Sequence, residues 1–285
     1  MPMRTTLLGA AILALVAGAA AARCADDAAV AAFVDDFSAR TPTAALGAAG
    51  DMDDALCTQE KLAAALEPVL GPVIGYKVGL TSAPAQERFG VTEPVRGLLY
   101  RDMMIGDGAE VPVRFGAVPL FEADLVLVVA DAAINDAATP EAVMRHVEAV
   151  RPFIELPDLM VAPGEPLTGE TITAMGVGVR LGVLGDPLPV DDPAAMTRAL
   201  GEMTVRMTAS DGTVLAEAPG AAVLGHPANA VTWLVSQGVT LAPGDLVSVG
   251  SFGPLVPPGE AGGAATVGYA GLPGDPEIRV RFAGE

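Results

Sequence analysis

The stretch Pro119-Leu-Phe-Glu-Ala-Asp-Leu-Val-Leu-Val-Val-Ala130 decides the fold of this chain, because it predicts a central β-strand. It is rich in β-branched residues and apolar on both faces from Leu125 to Ala130, whereas a strand with one face in water should alternate. Glu122 and Asp124 are two positions apart and therefore share one face of the strand. An edge strand with its acidic face in water is the alternative, and the uninterrupted apolar run favours burial.

Buried acidic side chains of this kind need a group that neutralises their negative charge. Glu122 and Asp124 side by side would cost several kcal/mol through desolvation and repulsion unless they gain a proton, a basic partner or a cation. A third acid, Glu155, lies in the apolar stretch Pro152-Phe-Ile-Glu-Leu-Pro-Asp158. Three carboxylates are typical ligands of Mg²⁺ or Mn²⁺. The two histidines are far apart, which disfavours zinc, and no serine elbow, Walker loop or dinucleotide fingerprint occurs.

The amino terminus has the pattern of a secretory signal peptide over residues 1–22. Arg4 supplies a basic flank, and the apolar run from Leu7 to Ala22 is short for a membrane span. We therefore expect a periplasmic or secreted protein that starts near Arg23 or Asp26 and has no stable membrane association after cleavage. An uncleaved membrane anchor is the alternative.

Cys24 and Cys57 are the only cysteines of the chain. In an oxidising compartment such a pair favours a disulfide, which would join the mature amino terminus to the first long helix. This prediction depends on cleavage after Ala22, because cleavage after Ala25 would remove Cys24.

The composition narrows the classes of partner. Lys and Arg number 16 against 35 Asp and Glu, and the formal charge is −19. A surface this acidic repels phosphate backbones and anionic lipids, so we expect no nucleic-acid partner and no membrane-surface role. The length suits one large domain, or one domain with a small lobe.

The order of the patterns, helices first and then mostly strands, predicts an α+β fold with a curled sheet as its core. Apolar periodicity and capping residues predict helices at 26–37, 52–70, 83–89, 139–150 and 227–237. Strands are expected at 73–80, 97–100, 109–113, 120–130, 152–156, 239–249 and 264–282. The sequence Ser210-Asp-Gly-Thr213 predicts a hairpin turn between two further strands.

Six segments in register carry a resemblance to a known family. They are Gly75-Tyr-Lys-Val-Gly-Leu-Thr-Ser82, Phe89-Gly-Val-Thr-Glu-Pro94, Phe121-Glu-Ala-Asp124, Ile154-Glu-Leu-Pro-Asp158, Leu224-Gly-His-Pro-Ala-Asn-Ala-Val-x-Trp-Leu234 and Pro243-Gly-Asp-Leu-Val-Ser-Val-Gly250. With them the chain resembles the fumarylacetoacetate hydrolase superfamily, in its 2-keto-4-pentenoate hydratase and 4-oxalocrotonate decarboxylase branch. The resemblance extends from about Cys57 to the carboxyl end.

The resemblance implies a mixed β-roll catalytic domain with peripheral helices over 73–285, after an N-terminal helical segment at 23–72. It also implies a homo-oligomer, a divalent metal ion (Mg²⁺ or Mn²⁺) and a short 2-oxo or 2-hydroxydienoic acid as substrate. The metal ligands carried over are Glu122, Asp124 and Glu155. A chelated 2-oxo acid would have its developing enolate stabilised by the metal as a Lewis acid.

Lys77 would then be a proton shuttle whose pKa is lowered by desolvation. The alternative for Lys77 is a purely structural pairing with Glu155 or Asp158. The substrate-binding positions implied by the resemblance are Leu80, Arg96, Asn229, Ser248 and Ser251. Backbone bonding at a helix start is the alternative for the asparagine, and a tight strand exit is the alternative for the two serines.

The chain also departs from the pattern of this branch. Asp124 replaces a glutamate, Val95 stands where an acid is usual, and Ile172-Thr-Ala-Met-Gly176 replaces a polar stretch. These changes argue against water addition and leave metal chelation intact. The leading hypothesis is an exported metal-dependent lyase. The alternatives are C–C hydrolysis of an acylpyruvate, for which no His-Glu dyad is visible, and a non-catalytic ligand-binding protein.

Overall fold

The predicted central strand lies in the middle of a large curled sheet. The computed structural model describes residues 23–47 and 50–284, so the predicted signal peptide at 1–22 lies outside the described residues. The helices are α1 (Asp27–Ala39), α2 (Met52–Leu70), α3 (Ala83–Phe89), α4 (Pro140–Met144), α5 (Gly169–Ala174), α6 (Pro193–Glu202) and α7 (Asn229–Ser236). The strands are β1 (Val73–Gly79), β2 (Val95–Tyr100), β3 (Met104–Gly106), β4 (Glu110–Pro112), β5 (Glu122–Val129), β6 (Val147–Leu156), β7 (Leu181–Leu184), β8 (Leu188–Pro189), β9 (Thr204–Ala209), β10 (Val214–Pro219), β11 (Leu246–Ser248), β12 (Ala264–Ala270) and β13 (Glu277–Ala283).

Two mixed sheets build the fold. The larger sheet has the order β2-β1-β11-β5-β6-β7-β3, with β8 on β6, and the smaller has the order β10-β9-β12-β13-β4. Parallel pairs, such as β1 with β11, occur among mostly antiparallel ones. Buried residues of β5 and β6 share one hydrophobic core with buried residues of β9, β12 and β13. This arrangement of curled sheets with helices around them confirms the predicted α+β class.

Strands β5 and β6 run antiparallel in the centre of the larger sheet. Their register places Glu122 directly opposite Glu155 and Asp124 opposite Phe153. Both strands are buried over most of their length. The alternative of an exposed edge strand is therefore wrong, since β5 has a neighbour on each side.

One predicted helix was wrong in its extent, and two helices were missed. The helix expected at 139–150 ends at Met144, and residues from Val147 onward belong to β6. Pro152 disfavours helical geometry at the residue before it, and three of the four residues 147–150 are apolar and buried in the sheet. Helices α5 and α6 were missed, although Asp192 caps α6 and Pro193 occupies its first turn, which is a recognisable start signal.

The amino-terminal helices pack on the outside of the larger sheet. Cys24 forms a disulfide with Cys57 of α2, as expected for a chain that retains Cys24. The Arg180 guanidinium donates to the Asp158 carboxylate at 2.8 Å and to the Phe37 carbonyl of α1 at 2.9 Å, and it lies 3.8 Å from the Phe37 ring centroid. None of the helices in the described ranges is both long and apolar enough to span a membrane.

Candidate active site

Lys77 occupies an interior position on β1, where its side chain is almost completely buried. Its ammonium contacts the Glu155 carboxylate and donates to the Val177 carbonyl at 2.7 Å. Burial lowers the pKa of Lys77 to about 8, against the attraction of Glu122 and Asp124, which raises it. The ion pair with Glu155 that a purely structural role of Lys77 predicts is therefore present. The same ion pair holds the amine beside the predicted metal ligands.

Glu122 faces Glu155 across the β5–β6 ladder, and both line one cavity. Like charges directly opposite each other on neighbouring strands destabilise a sheet unless a cation lies between or beside them. Burial raises the pKa of the Glu122 carboxyl to about 7, and the Lys77 ammonium only partly opposes this shift. The ionised form of Glu122 is therefore short of positive partners.

Asp124 lies on β5 two positions after Glu122 and is fully buried. Its carboxylate accepts hydrogen bonds from the Ser248 hydroxyl and from the Gly250 backbone N–H at 3.0 Å. Burial raises the pKa of Asp124 to about 6 in spite of these hydrogen bonds, which lower it. The Tyr269 hydroxyl, which the sequence did not indicate, donates to the Asp124 carbonyl at 2.6 Å and so braces this point of β5.

The donor set fits a hard divalent cation by its chemistry. Two buried acids, Asp124 and Glu155, and the half-buried Glu122 outnumber the one buried ammonium, so ionisation leaves an excess of negative charge that a divalent cation would neutralise. In the described part of the chain, no three acidic, histidine or cysteine side chains converge on a common point as metal ligands. Glu155 turns to Lys77 and Asp124 turns to Ser248, so these carboxylates are close in the fold but engaged with protein partners.

The cavity above these groups has a volume of about 420 Å³. Lys77, Glu122 and Glu155 line it, and so do Ser251 and Leu80, two of the predicted substrate positions. Leu80 has a φ of 55°. A non-glycine residue in this region is uncommon, and such conformations cluster at functional sites.

Three predicted substrate positions do not line this cavity. Arg96 pairs with Val78 across β1 and β2, on the opposite face from Lys77, and it lines a second cavity of about 320 Å³. The Asn229 amide donates to the Leu224 carbonyl at 2.9 Å, which is the backbone bonding considered as its alternative. Ser248 is fully buried and bonds Asp124. Its contribution to the site is to hold that carboxylate.

Val177 was not predicted as a site residue. It has a φ of 56°, which is an outlier for a β-branched side chain, and its carbonyl accepts from the Lys77 ammonium. Gly176 and Gly178 flank it, also with positive φ. The glycine pair was the one signal in the sequence that could have indicated a tight turn here.

Known proteins resemble this chain in sequence and in fold. The family model for the C-terminal domain of fumarylacetoacetate hydrolase matches residues 78–273. A 2-keto-4-pentenoate hydratase of Burkholderia vietnamiensis is 33% identical over 189 residues, which cover 65% of this chain and 70% of the relative. The match to the family model extends over most of the region in which the six sequence motifs lie.

Solved structures share the fold. The 4-oxalocrotonate decarboxylase from Pseudomonas putida G7, complexed with magnesium and adipate, has a TM-score of 0.76 at 21% identity, covering 90% of this chain and 96% of that one. The fumarylpyruvate hydrolase from Pseudomonas aeruginosa, in complex with Mn²⁺ and pyruvate, has a TM-score of 0.53 at 17% identity, covering 74% of this chain and 89% of that one. Because the family model matches well over half of the chain and the hydratase is a clear relative, the resemblance drawn from the sequence motifs is confirmed: this chain belongs to the fumarylacetoacetate hydrolase family.

Proposed function

We propose that this protein is an exported, divalent-metal-dependent lyase of the 2-keto-4-pentenoate hydratase type, acting on a 2-oxo or 2-hydroxydienoic acid. The observation that carries the proposal is the buried Lys77 ammonium, which meets Glu155 and lies beside Glu122 at the inner end of an open cavity. The family match and the named hydratase relative support the reaction class.

Glu122, Asp124 and Glu155 are the residues that would hold the metal. When bound, a divalent cation would stabilise the negative charge that develops on the 2-oxo acid head during the reaction. The magnesium and Mn²⁺ complexes of the two structural neighbours support a divalent ion of this kind. The excess of acidic over basic side chains at this site supports it independently.

Lys77 is the group that would move the proton. Its ammonium is held by Glu155 and by the Val177 carbonyl, so the amine is positioned before substrate arrives. With a pKa of about 8, the amine can both release and regain a proton near neutral pH. We propose that Nζ delivers a proton to, or removes it from, the carbon chain beside the 2-oxo group.

The alternatives are less well supported. An acylpyruvate hydrolase needs a base that activates water, and no histidine is among the described residues that line the cavity. His226 instead accepts from the Ala228 backbone N–H at the entry to α7, and His146 bonds Asp131. Export is part of the proposal, and the Cys24–Cys57 disulfide supports it because disulfides persist in oxidising compartments.

A thermal-shift titration with Mg²⁺ or Mn²⁺, with and without oxalate, tests the proposal. Oxalate has the same chelating head as a 2-oxo acid. At about 100 times its dissociation constant it should add about 3 kcal/mol of stability, which raises the Tm by roughly 5–10 °C. Glu122→Ala should abolish this shift, and Glu60→Ala, at an exposed position on α2, should retain it. An absent shift, or an equal shift in both variants, would contradict the metal site.

Measurements of turnover then distinguish the lyase reaction from hydrolysis. Product analysis with a 2-hydroxydienoic acid and with an acylpyruvate distinguishes lyase from hydrolase activity. Retained metal-dependent turnover in both Glu122→Ala and Glu155→Ala would refute the assigned ligands. Tight oxalate binding without any turnover would support the non-catalytic alternative.

A further inference from the structure

We infer that the site selects a 2-oxo acid carrying an uncharged, apolar tail of several carbons, and that the wall of the cavity is the specificity element for this tail. The inference rests on the proposed function, because it assumes that the acid head binds beside Lys77. It goes beyond that proposal by naming the class of substrate from the cavity's own surface.

The cavity is lined by a group of charged side chains and by a set of hydrophobic ones. The buried Lys77 and Glu155 and the half-buried Glu122 form its polar end. Six further lining residues are hydrophobic side chains that belong to one separate cluster, which we call the apolar wall. Its members are Leu80, Phe89, Leu159, Ile172, Val177 and Leu255.

The apolar wall is assembled from distant parts of the chain. It draws on α3, on the segment after β6, on α5 with the turn behind it, and on the loop that follows β11. Val95, which stands where an acid is usual in this branch, packs in the same cluster. Val95 itself lines the second cavity, so of the two departures noted in the sequence it is the stretch that contains Ile172 that faces this cavity.

The size of the cavity exceeds what an acid head requires. A volume of about 420 Å³ lies in the range of pockets that hold drug-sized ligands. Oxalate or pyruvate would fill a small part of it and leave water against the apolar wall. Hydrophobic surface open to a cavity is stabilised when an apolar group displaces that water.

The charges around the cavity favour an uncharged tail. Apart from Lys77, Glu122 and Glu155, Arg88 is the one charged residue among the described residues that line the cavity. It is exposed, and its guanidinium lies 5.6 Å from the Phe89 ring centroid. The wall itself offers no partner for a tail carboxylate, whereas Arg88 would offer one at the mouth, so a dicarboxylate is the competing substrate.

A homologous series of ligands tests the inference. In the presence of Mn²⁺, the dissociation constants of pyruvate, 2-oxohexanoate and 2-oxooctanoate are measured by titration calorimetry on the full mature protein, with oxalate as the head alone. Each buried methylene should tighten binding by about fourfold, so 2-oxooctanoate should bind at least tenfold more tightly than pyruvate. Equal affinities along the series would overturn the inference.

Matched variants locate the effect. Leu255→Asn changes a partly buried wall residue and should reduce the gain from pyruvate to 2-oxooctanoate by at least fivefold, with oxalate binding unchanged. Leu167→Asn changes a partly buried leucine that packs on the same cluster without lining the cavity, and it should keep the full gain. An equal loss in both variants would contradict direct contact with the tail.

Two further comparisons separate the sources of failure. 2-Oxohexanedioate has the length of 2-oxohexanoate with a second carboxylate, and tighter binding of the diacid would overturn the uncharged tail in favour of Arg88. Oxalate that fails to bind with Mn²⁺ would refute the proposed function and this inference with it. Oxalate that binds, with no preference for any tail, would refute this inference alone.

Discussion

Replacement of Glu122 by glutamine should change the pH dependence of stability in the metal-free protein. Burial raises the pKa of Glu122 from 4.5 to about 7 in the folded state. A raised folded-state pKa means that the folded protein binds the proton more tightly than the unfolded chain does. The resulting stabilisation is complete below pH 4.5 and is lost as the pH rises through about 7.

The magnitude follows from the shift. One pKa unit corresponds to about 1.4 kcal/mol, so the Glu122 contribution between pH 4.5 and pH 7.5 is about 3 kcal/mol as an upper value. Asp124, whose pKa is raised to about 6, adds a contribution of the same sign that the variant retains. Lys77 adds no slope below pH 7, because it is protonated there in both the folded and the unfolded state.

Urea unfolding from pH 4.5 to pH 7.5 with a chelator present measures the effect. The difference in unfolding free energy, Glu122→Gln minus wild type, should grow with pH and reach 1–3 kcal/mol in favour of the variant. Subtraction removes the contributions of the titrating groups that do not interact with Glu122. Glu60→Gln, at an exposed position, should give a flat difference. A flat difference for Glu122→Gln as well would refute the buried, cation-deficient environment on which the metal site rests.

Three further outcomes follow from the structure. Lys77→Met should lower kcat by about 10²–10⁴-fold with little change in the far-UV circular dichroism spectrum, because the proton-transferring amine is lost. Arg180→Met should lower the free energy of unfolding in urea by about 3–5 kcal/mol, because Asp158 is then buried without its partner. In protein that retains Cys24, Cys57→Ser should lower the free energy of unfolding by about 2–4 kcal/mol, since the disulfide that shortens the unfolded chain is gone.

Each of these outcomes has a result that would contradict it. Full turnover in Lys77→Met would show that another group carries the proton. A loss for Arg180→Met no larger than that of the exposed control Arg198→Met would show that Asp158 is satisfied by its backbone hydrogen bonds alone. Unchanged unfolding of Cys57→Ser beside a reducing-agent control would show that the pair does not constrain the chain.

Local sequence patterns were sufficient to predict the strands and helices whose structure depends on residues close together in the chain. The apolar run with Glu122 and Asp124 identified a central strand with two acids on one face, because strand geometry has a period of two. Apolar periodicity located α2, and Ser82 marked the start of α3, although its side chain makes no capping hydrogen bond. The helix expected at 139–150 was wrong because pairing with β5 determines the structure of residues 147–150, and pairing is not visible in a window of a few residues.

The sequence by itself determined which residues could do chemistry: buried carboxylates on strands, one lysine on an apolar strand, and a cysteine pair. Only the tertiary structure decided which of them meet. Lys77 reaches Glu155 across 78 positions of sequence because β1, β11, β5 and β6 are neighbours in one sheet. The same strand register turns Arg96 to the opposite face, and helix packing gathers the apolar wall around the cavity. Strand order and register arise from long-range burial, which no single segment encodes, and so the shape and selectivity of the site depend on the complete fold.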